Sequence, residues 1–183
     1  MYKHFVFFIL FNLLLLNIKA QKNNNALSLN FENAIPIFKN DGGFGFFVKG
    51  LYGIGASGQL TLSGGVSKFN SKNSIGYEKT LTRLIPFLFG YKQNIRKFFV
   101  EPKIGLGELG GILLINGGDY SRPSVGAIFG GLGAGVTINR FNIGINFLTA
   151  NGIENTSAGI WYNKSFNYTS IYIGYDLFSK FTR

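Results

Sequence analysis

The chain contains no cysteine. That excludes disulfide-stapled folds, thiol nucleophiles and thiolate zinc sites. Its one histidine, His4, stands in an N-terminal segment that reads as removable. The remainder therefore has no imidazole for Ser–His hydrolysis or for a metal site. Charge is scarce too: 14% of residues are Asp, Glu, Lys or Arg, against roughly 25% in an ordinary soluble domain. Long apolar runs are also missing. The mean hydropathy is only +0.18, and the uncharged stretch Pro123–Asn139 is 17 residues long and broken by glycines. A bundle of membrane-spanning helices is excluded on length.

What is abundant is glycine, with 26 residues, and phenylalanine, with 20. Strands that alternate bulky residues on one face with small ones on the other have this composition. The 183 residues suit one domain. The formal net charge is +10, and +8 once Lys3 and Lys19 are set aside with residues 1–20. Such an excess suits anionic neighbours, lipid phosphates or nucleic acid. The aromatics are spread over every strand rather than gathered with the lysines, which disfavours nucleic acid.

Residues 1–20, MYKHFVFFILFNLLLLNIKA, have a cationic start at Lys3, an apolar core from Phe5 to Leu16 and a small residue, Ala20, at the end. This is the pattern of a signal peptide, too short to span a bilayer. Residues 21–183 are expected to form a single barrel domain.

The clearest alternation lies near the C-terminus. In SIYIGYDLF, Ile171, Ile173, Tyr175 and Leu177 alternate with Ser170, Tyr172, Gly174 and Asp176. A period of two is a strand with one apolar and one polar face. Seven similar stretches precede it, from Leu27, Phe44, Gln59, Leu84, Phe99, Ser124 and Phe141 onward. Each is roughly 10–12 residues, the length that crosses a bilayer when tilted. Pro86 lies within the fourth and is expected near its start or at a bulge, since proline donates nothing to a ladder. The connections alternate between short (56–58, 94–96, 137–140) and long (69–80, 109–123, 150–165). Short turns at one end and long loops at the other are the habit of bacterial outer-membrane barrels.

Alternation also assigns faces. Leu29, Phe31, Leu60, Leu62, Phe87, Phe89, Ile104, Ile143, Ile145, Ile171 and Ile173 fall on the lipid side. Asn30, Glu32, Lys49, Thr61, Ser63, Glu101, Lys103, Asn142, Asn146, Tyr172 and Asp176 fall in the lumen. A barrel of eight strands is just wide enough for its own side chains to fill. Buried charges need partners, so Glu32, Lys49, Glu101, Lys103 and Asp176 are expected to form a structural network, with Lys49 almost opposite Glu32. The same carboxylates could serve as an acid–base pair, but no histidine supports them. Arg83 alone is placed on the lipid side, at a strand end where it can snorkel.

With IPFLFGYK, FFVEPKIGLG and the terminal SIYIGYDLF in hand, the chain resembles the small outer-membrane β-barrel proteins of Gram-negative bacteria, the OmpX- and OmpA-barrel type. The resemblance covers residues 21–183 and rests on pattern. It implies an all-β, eight-stranded antiparallel up-and-down transmembrane barrel in the outer membrane. It further implies a non-enzymatic structural or surface-interaction role through long external loops. No cofactor and no metal is implied. The implied partners are outer-membrane lipids and lipopolysaccharide, with the barrel assembly machinery during insertion; the barrel would be a monomer that binds no nucleic acid. Proteins of this type usually end on an aromatic residue, whereas here Phe178 is followed by Ser179-Lys180-Phe181-Thr182-Arg183. Lys68, Lys72, Lys79 and Arg83, in or beside a long connection, are candidate contacts to lipid phosphates. Three alternatives remain: a soluble lipocalin-like barrel with an apolar interior, a narrow pore and a lipid-acting outer-membrane enzyme.

Two G-x-G-x-x-G matches, Gly53/Gly55/Gly58 and Gly105/Gly107/Gly110, raise a dinucleotide site. Such a site needs a helix starting at the last glycine. The residues after Gly58 alternate as a strand, and those after Gly110 are too few and too glycine-bounded for a helix. Turns and crowded inward positions are expected instead.

Overall fold

The computed structural model describes residues 25–37, 42–55, 57–72, 78–115, 118–155 and 161–179, and within them the side chains outside 71–81, 111–123, 153–164 and 178–179. The leader segment 1–20 and residues 38–41, between the first two strand stretches, lie outside the described residues.

Every described element is a strand: β1 Ala26–Pro36, β2 Gly43–Ile54, β3 Gly58–Lys72, β4 Glu78–Ile95, β5 Phe98–Ile115, β6 Gly118–Ile138, β7 Phe141–Asn155 and β8 Trp161–Ser179. They pair antiparallel in chain order and close as a barrel, β8 returning to β1. The closing seam runs from Ala26↔Ser179 to Pro36↔Tyr168, with a bulge at Leu27/Ser28. β8 thus has the two neighbours that its alternation requires. Closure pairs each strand on both sides and leaves no edge to aggregate.

Period-two burial holds around the wall. Phe87, Ile104 and Ile171 are 58%, 62% and 64% exposed, while Glu32, Thr61 and Glu101 are buried. Burial of carboxylates beneath exposed isoleucines inverts a soluble protein and fits a wall bathed in lipid. On β4 the apolar outer face runs from Ile85 to Ile95. At ~3.3 Å per residue and ~40° tilt that spans about 25 Å, the height of a lipid-facing band.

Three expectations change. First, most of the long connections are strand. β5 runs to Ile115 and β6 begins at Gly118, so 109–123 is a paired hairpin. β3 and β4 stay paired up to Lys72↔Lys79, and β7 and β8 up to Asn155↔Trp161. These segments lack a clean alternation and are interrupted by glycines and asparagines, so they read as loop by composition. Once the strand below sets the register, backbone pairing carries the ladder upward regardless of side chain.

Second, Pro86 lies mid-strand and buried, paired to Gly107 on its β5 side. Toward β3 the ladder passes from Gly64↔Phe87 to Ser67↔Leu84, skipping the positions between without a shift in register. The missing proline N–H costs a gap there, not a bulge.

Third, the first hairpin centres between residues 38 and 39. Lys49 therefore pairs with Ser28, and Glu32 with Gly45.

The glycine motifs are resolved by the same geometry. Gly55 takes φ 65° in the β2–β3 turn, and Gly105 and Gly107 lie inside β5, where a Cβ would meet the Phe87 and Ile85 carbonyls. Among the described residues no helix follows either match, and Pro123–Asn139 falls within β6 and its turn.

Candidate functional site: the filled lumen and the outer wall

Inward-facing charge gathers in the lumen. Lys49 Nζ on β2 reaches across to donate to Glu101 Oε2 on β5 at 2.8 Å, and Lys103 Nζ lies 3.4 Å from the same oxygen. Thr61 donates its hydroxyl to Glu101 Oε1 at 2.8 Å, and Lys103 donates to Asn146 Oδ1 at 3.0 Å. Glu101 is 1% exposed. One carboxylate therefore ties β2, β3 and β5 together through charge-assisted bonds, and Lys103 extends the network to β7.

Glu32 does not join this cluster. It accepts from three hydroxyls: Ser67 at 2.8 Å, Tyr168 at 3.0 Å and Ser170 at 2.8 Å. The partner expected for it, Lys49, is displaced along the strand by the register described above. Gly45, its cross-strand neighbour, is required here, because a Cβ would sit 2.6 Å from Glu32 Oε1 and from Ser67 Oγ.

Asp176 belongs to a third group. Lys92 Nζ donates to Asn142 Oδ1 at 2.7 Å, and Asn142 Nδ2 donates to Asp176 Oδ1 at 3.0 Å. Lys92 also sits 4.3 Å from the Phe99 ring centroid, a cation–π contact. The three lysines Lys49, Lys92 and Lys103 thus balance the three carboxylates Glu32, Glu101 and Asp176 inside the wall. Charge balance is what a lumen closed to solvent needs.

Above the polar groups, toward the long hairpins, lies an apolar plug that the alternation did not announce. Phe69, Leu84, Leu88, Leu109, Phe129, Leu148, Phe166 and Tyr168 pack together inside the barrel. Phe69 stacks at 4.7 Å on Phe166 and 5.0 Å on Tyr168. The signal that marks it is apolar runs that break alternation, as in Phe87-Leu88-Phe89, Ile128-Phe129 and Phe147-Leu148. Between plug and polar groups is a cavity of about 30 Å³ lined by Glu32, Lys49, Lys103, Asn146, Tyr168 and Tyr172. It is large enough for a water or two and too small for an organic ligand. Asn30 Nδ2, on the same cavity, and Ser28 Oγ are buried without a hydrogen-bond partner among the described residues.

On the outside, Tyr52, Phe98, Phe141 and Tyr175 project near the short turns, as an interfacial aromatic girdle does. At the other limit of the band, Lys68 and Arg83 are direct cross-strand neighbours and both are exposed. Arg83 lies within β4, not at its end, and Lys68 and Glu108 are further outward charges. Lys72 and Lys79 are paired in register, though their side chains lie outside the described residues. No group of three or more potential metal-ligating side chains occurs among the described residues.

The fold has known counterparts. No family model matches the sequence, and no curated protein does. Among solved structures, the chain is similar to Ail, the attachment invasion locus protein of Yersinia pestis, in complex with the heparin analogue sucrose octasulfate, at 12% identity with a TM-score of 0.59. That match covers 85% of this chain and 99% of Ail. It is also similar to Neisserial surface protein A, at 9% identity and TM-score 0.56, over 84% of this chain and 96% of that one. The N-terminal β-barrel domain of Pseudomonas aeruginosa OprF matches at 10% identity and TM-score 0.55, over 85% of this chain and all of that domain. All are eight-stranded outer-membrane barrels, and this chain has their fold.

Proposed function

We propose that this chain is an integral outer-membrane barrel of a Gram-negative envelope, sealed and non-enzymatic, acting through the strand-built hairpins that it raises above the membrane. One observation carries the reading: the exposed apolar band surrounds a lumen filled by neutralised charge and an apolar plug. A lipocalin-type barrel has the reverse polarity. A pore needs a continuous aqueous path, which the Phe69–Phe166–Tyr168 stack obstructs. The mature chain has no histidine to act as general base, and its three lumen carboxylates, Glu32, Glu101 and Asp176, are engaged with lysines, hydroxyls and amides.

The hairpins β3–β4, β5–β6 and β7–β8 are the surface available to an external partner. Lys68 and Arg83, with Lys72 and Lys79 above them, stand where phosphates of the outer leaflet would lie, so lipopolysaccharide is the lipid they suit. Full pairing of every strand supports a monomer, and β8 is the strand that the assembly machinery would meet. Fractionation with heat-modifiable gel migration tests the membrane reading, which a detergent-independent soluble protein overturns. Lys68→Glu with Arg83→Glu should weaken lipopolysaccharide contact; unchanged contact removes that role. Planar-bilayer recording should show no steady conductance.

A further inference from the structure

Most of the excess positive charge lies at the opposite end of the barrel from Lys68 and Arg83. Inside the wall, cations and carboxylates balance. Among the described residues the one exposed acid is Glu108, near the long-hairpin limit of the band. The remaining acids, Asp41, Glu78, Asp119 and Glu154, all fall in the sequence of the long-hairpin side, where they offset most of its lysines and arginines. The short-turn end is different. Arg96 and Lys97 form the β4–β5 turn, Arg140 lies in the β6–β7 turn, and all three are exposed. Lys22, Lys180 and Arg183 stand within four residues of the ends of β1 and β8 in the sequence. Among the described residues, no acid is found there outside the lumen.

The turn backbones that carry these cations are ordered by hydrogen bonds, as is the uncharged third turn, whose Ser57 carbonyl accepts from Asn94 N at 2.8 Å. Both turns are clipped to the next strand: the Lys97 carbonyl accepts from Thr137 N at 2.7 Å, and the Arg140 carbonyl from Asp176 N at 2.9 Å. This joins the two turns into one arc running from β4 to β8, while the third turn, at Gly55–Ser57, is uncharged. Arg96 also has φ 59°, a conformation that Gly and Asn adopt readily and Arg does not. Asn139 fills the equivalent place in the other turn, at φ 55°. Each turn is flanked by exposed apolar residues, Ile95 and Phe98 in one, Ile138 and Phe141 in the other. Apolar side chains in the acyl layer with cations at the turn tips make an anchor for a headgroup surface.

We infer that the short-turn end is a basic arc that binds the anionic phospholipid headgroups of the periplasmic leaflet. The inference rests on the membrane reading above. It adds an electrostatic contact on the inner side of the membrane to the outer one at Lys68 and Arg83.

The test uses the mature chain refolded into vesicles of phosphatidylcholine with 30 mol% phosphatidylglycerol, on the order of the anionic fraction that supports such binding. Spin-labelled phosphatidylglycerol and phosphatidylcholine report their relative association with the protein. Each cation held at an anionic surface favours it by about fivefold. Averaged over the whole lipid shell, wild type should prefer phosphatidylglycerol about two- to fourfold, less in high salt. Arg96→Asn with Lys97→Asn and Arg140→Asn should lose at least half of that preference. Asn suits the left-handed position, so this variant should still fold. Arg96→Lys with Arg140→Lys keeps the charge and should keep the preference. An unchanged preference in the Asn variant overturns the inference. So does salt-sensitive, Asn-variant-sensitive sedimentation with purified cell-wall sacculi in the absence of any lipid preference, which would assign the arc to that polymer. A chain that does not insert at all overturns the membrane reading together with this one.

Discussion

Glu101→Gln is the substitution that most strains the account of the lumen. The carboxylate is 1% exposed and holds Lys49 at 2.8 Å and Lys103 at 3.4 Å. Glutamine keeps the shape and one acceptor for Thr61 or a lysine, but removes the charge. Two lysines would then share the interior with no carboxylate within contact, and the lumen would carry one excess positive charge. Removing one partner of a buried pair costs about 3–5 kcal/mol. Glutamine's remaining hydrogen bond should recover about 1 kcal/mol, leaving a loss of about 2–4 kcal/mol. Because Lys49 and Glu101 stand on β2 and β5, the loss loosens opposite walls rather than one hairpin. Urea-induced unfolding in vesicles, followed by gel migration, measures it. Adding Lys49→Met should restore part of the stability, giving a coupling of about 1–3 kcal/mol in a double-mutant cycle. If Glu101→Gln unfolds at the wild-type urea concentration, the lumen is wet enough to screen these charges and the sealed-barrel argument fails.

The wall and the plug set three further outcomes. Ile104→Lys places a charge in mid-band and should cost about 2–4 kcal/mol in vesicle unfolding, whereas Lys68→Leu, at the band's limit, should change stability by less than about 1 kcal/mol. Phe129→Ala opens the plug and should cost about 3–5 kcal/mol, read as a lower temperature for the heat-induced gel shift. Gly45→Ala pushes a methyl against Glu32 and Ser67 and should destabilise by about 1–3 kcal/mol; a neutral result would mean that Glu32 is free to move.

Faces were legible in the sequence and partners were not. Alternation assigned Ile171 and Glu101 to opposite sides, because side-chain direction in a strand depends only on parity. Which lumen residues meet depends on register and shear, and these are set by turns. Lys49 opposite Glu32 needs a register centred two residues later than the one observed, and that slip alone separates the pair. The hairpins were hidden for another reason: GGILLINGGDYSR has no amphipathic period to mark a strand. The Phe129–Leu148 plug was hidden because apolar residues on both faces resemble simple runs. The basic arc needed the topology, which gathers Arg96, Lys97 and Arg140 from separate turns onto one rim.

The absence of cysteine makes the most direct test simple. Single cysteines introduced in turn at positions 170 to 175 can carry a spin label in the vesicle-inserted protein. A period of two is expected: labels from Ile171→Cys, Ile173→Cys and Tyr175→Cys collide with oxygen dissolved in the bilayer and are shielded from a water-soluble nickel chelate. Labels from Ser170→Cys and Tyr172→Cys should be immobilised and shielded from both. Oxygen accessibility on the even positions, or on all positions alike, would contradict a barrel that turns its apolar face to lipid and fills its lumen with its own side chains.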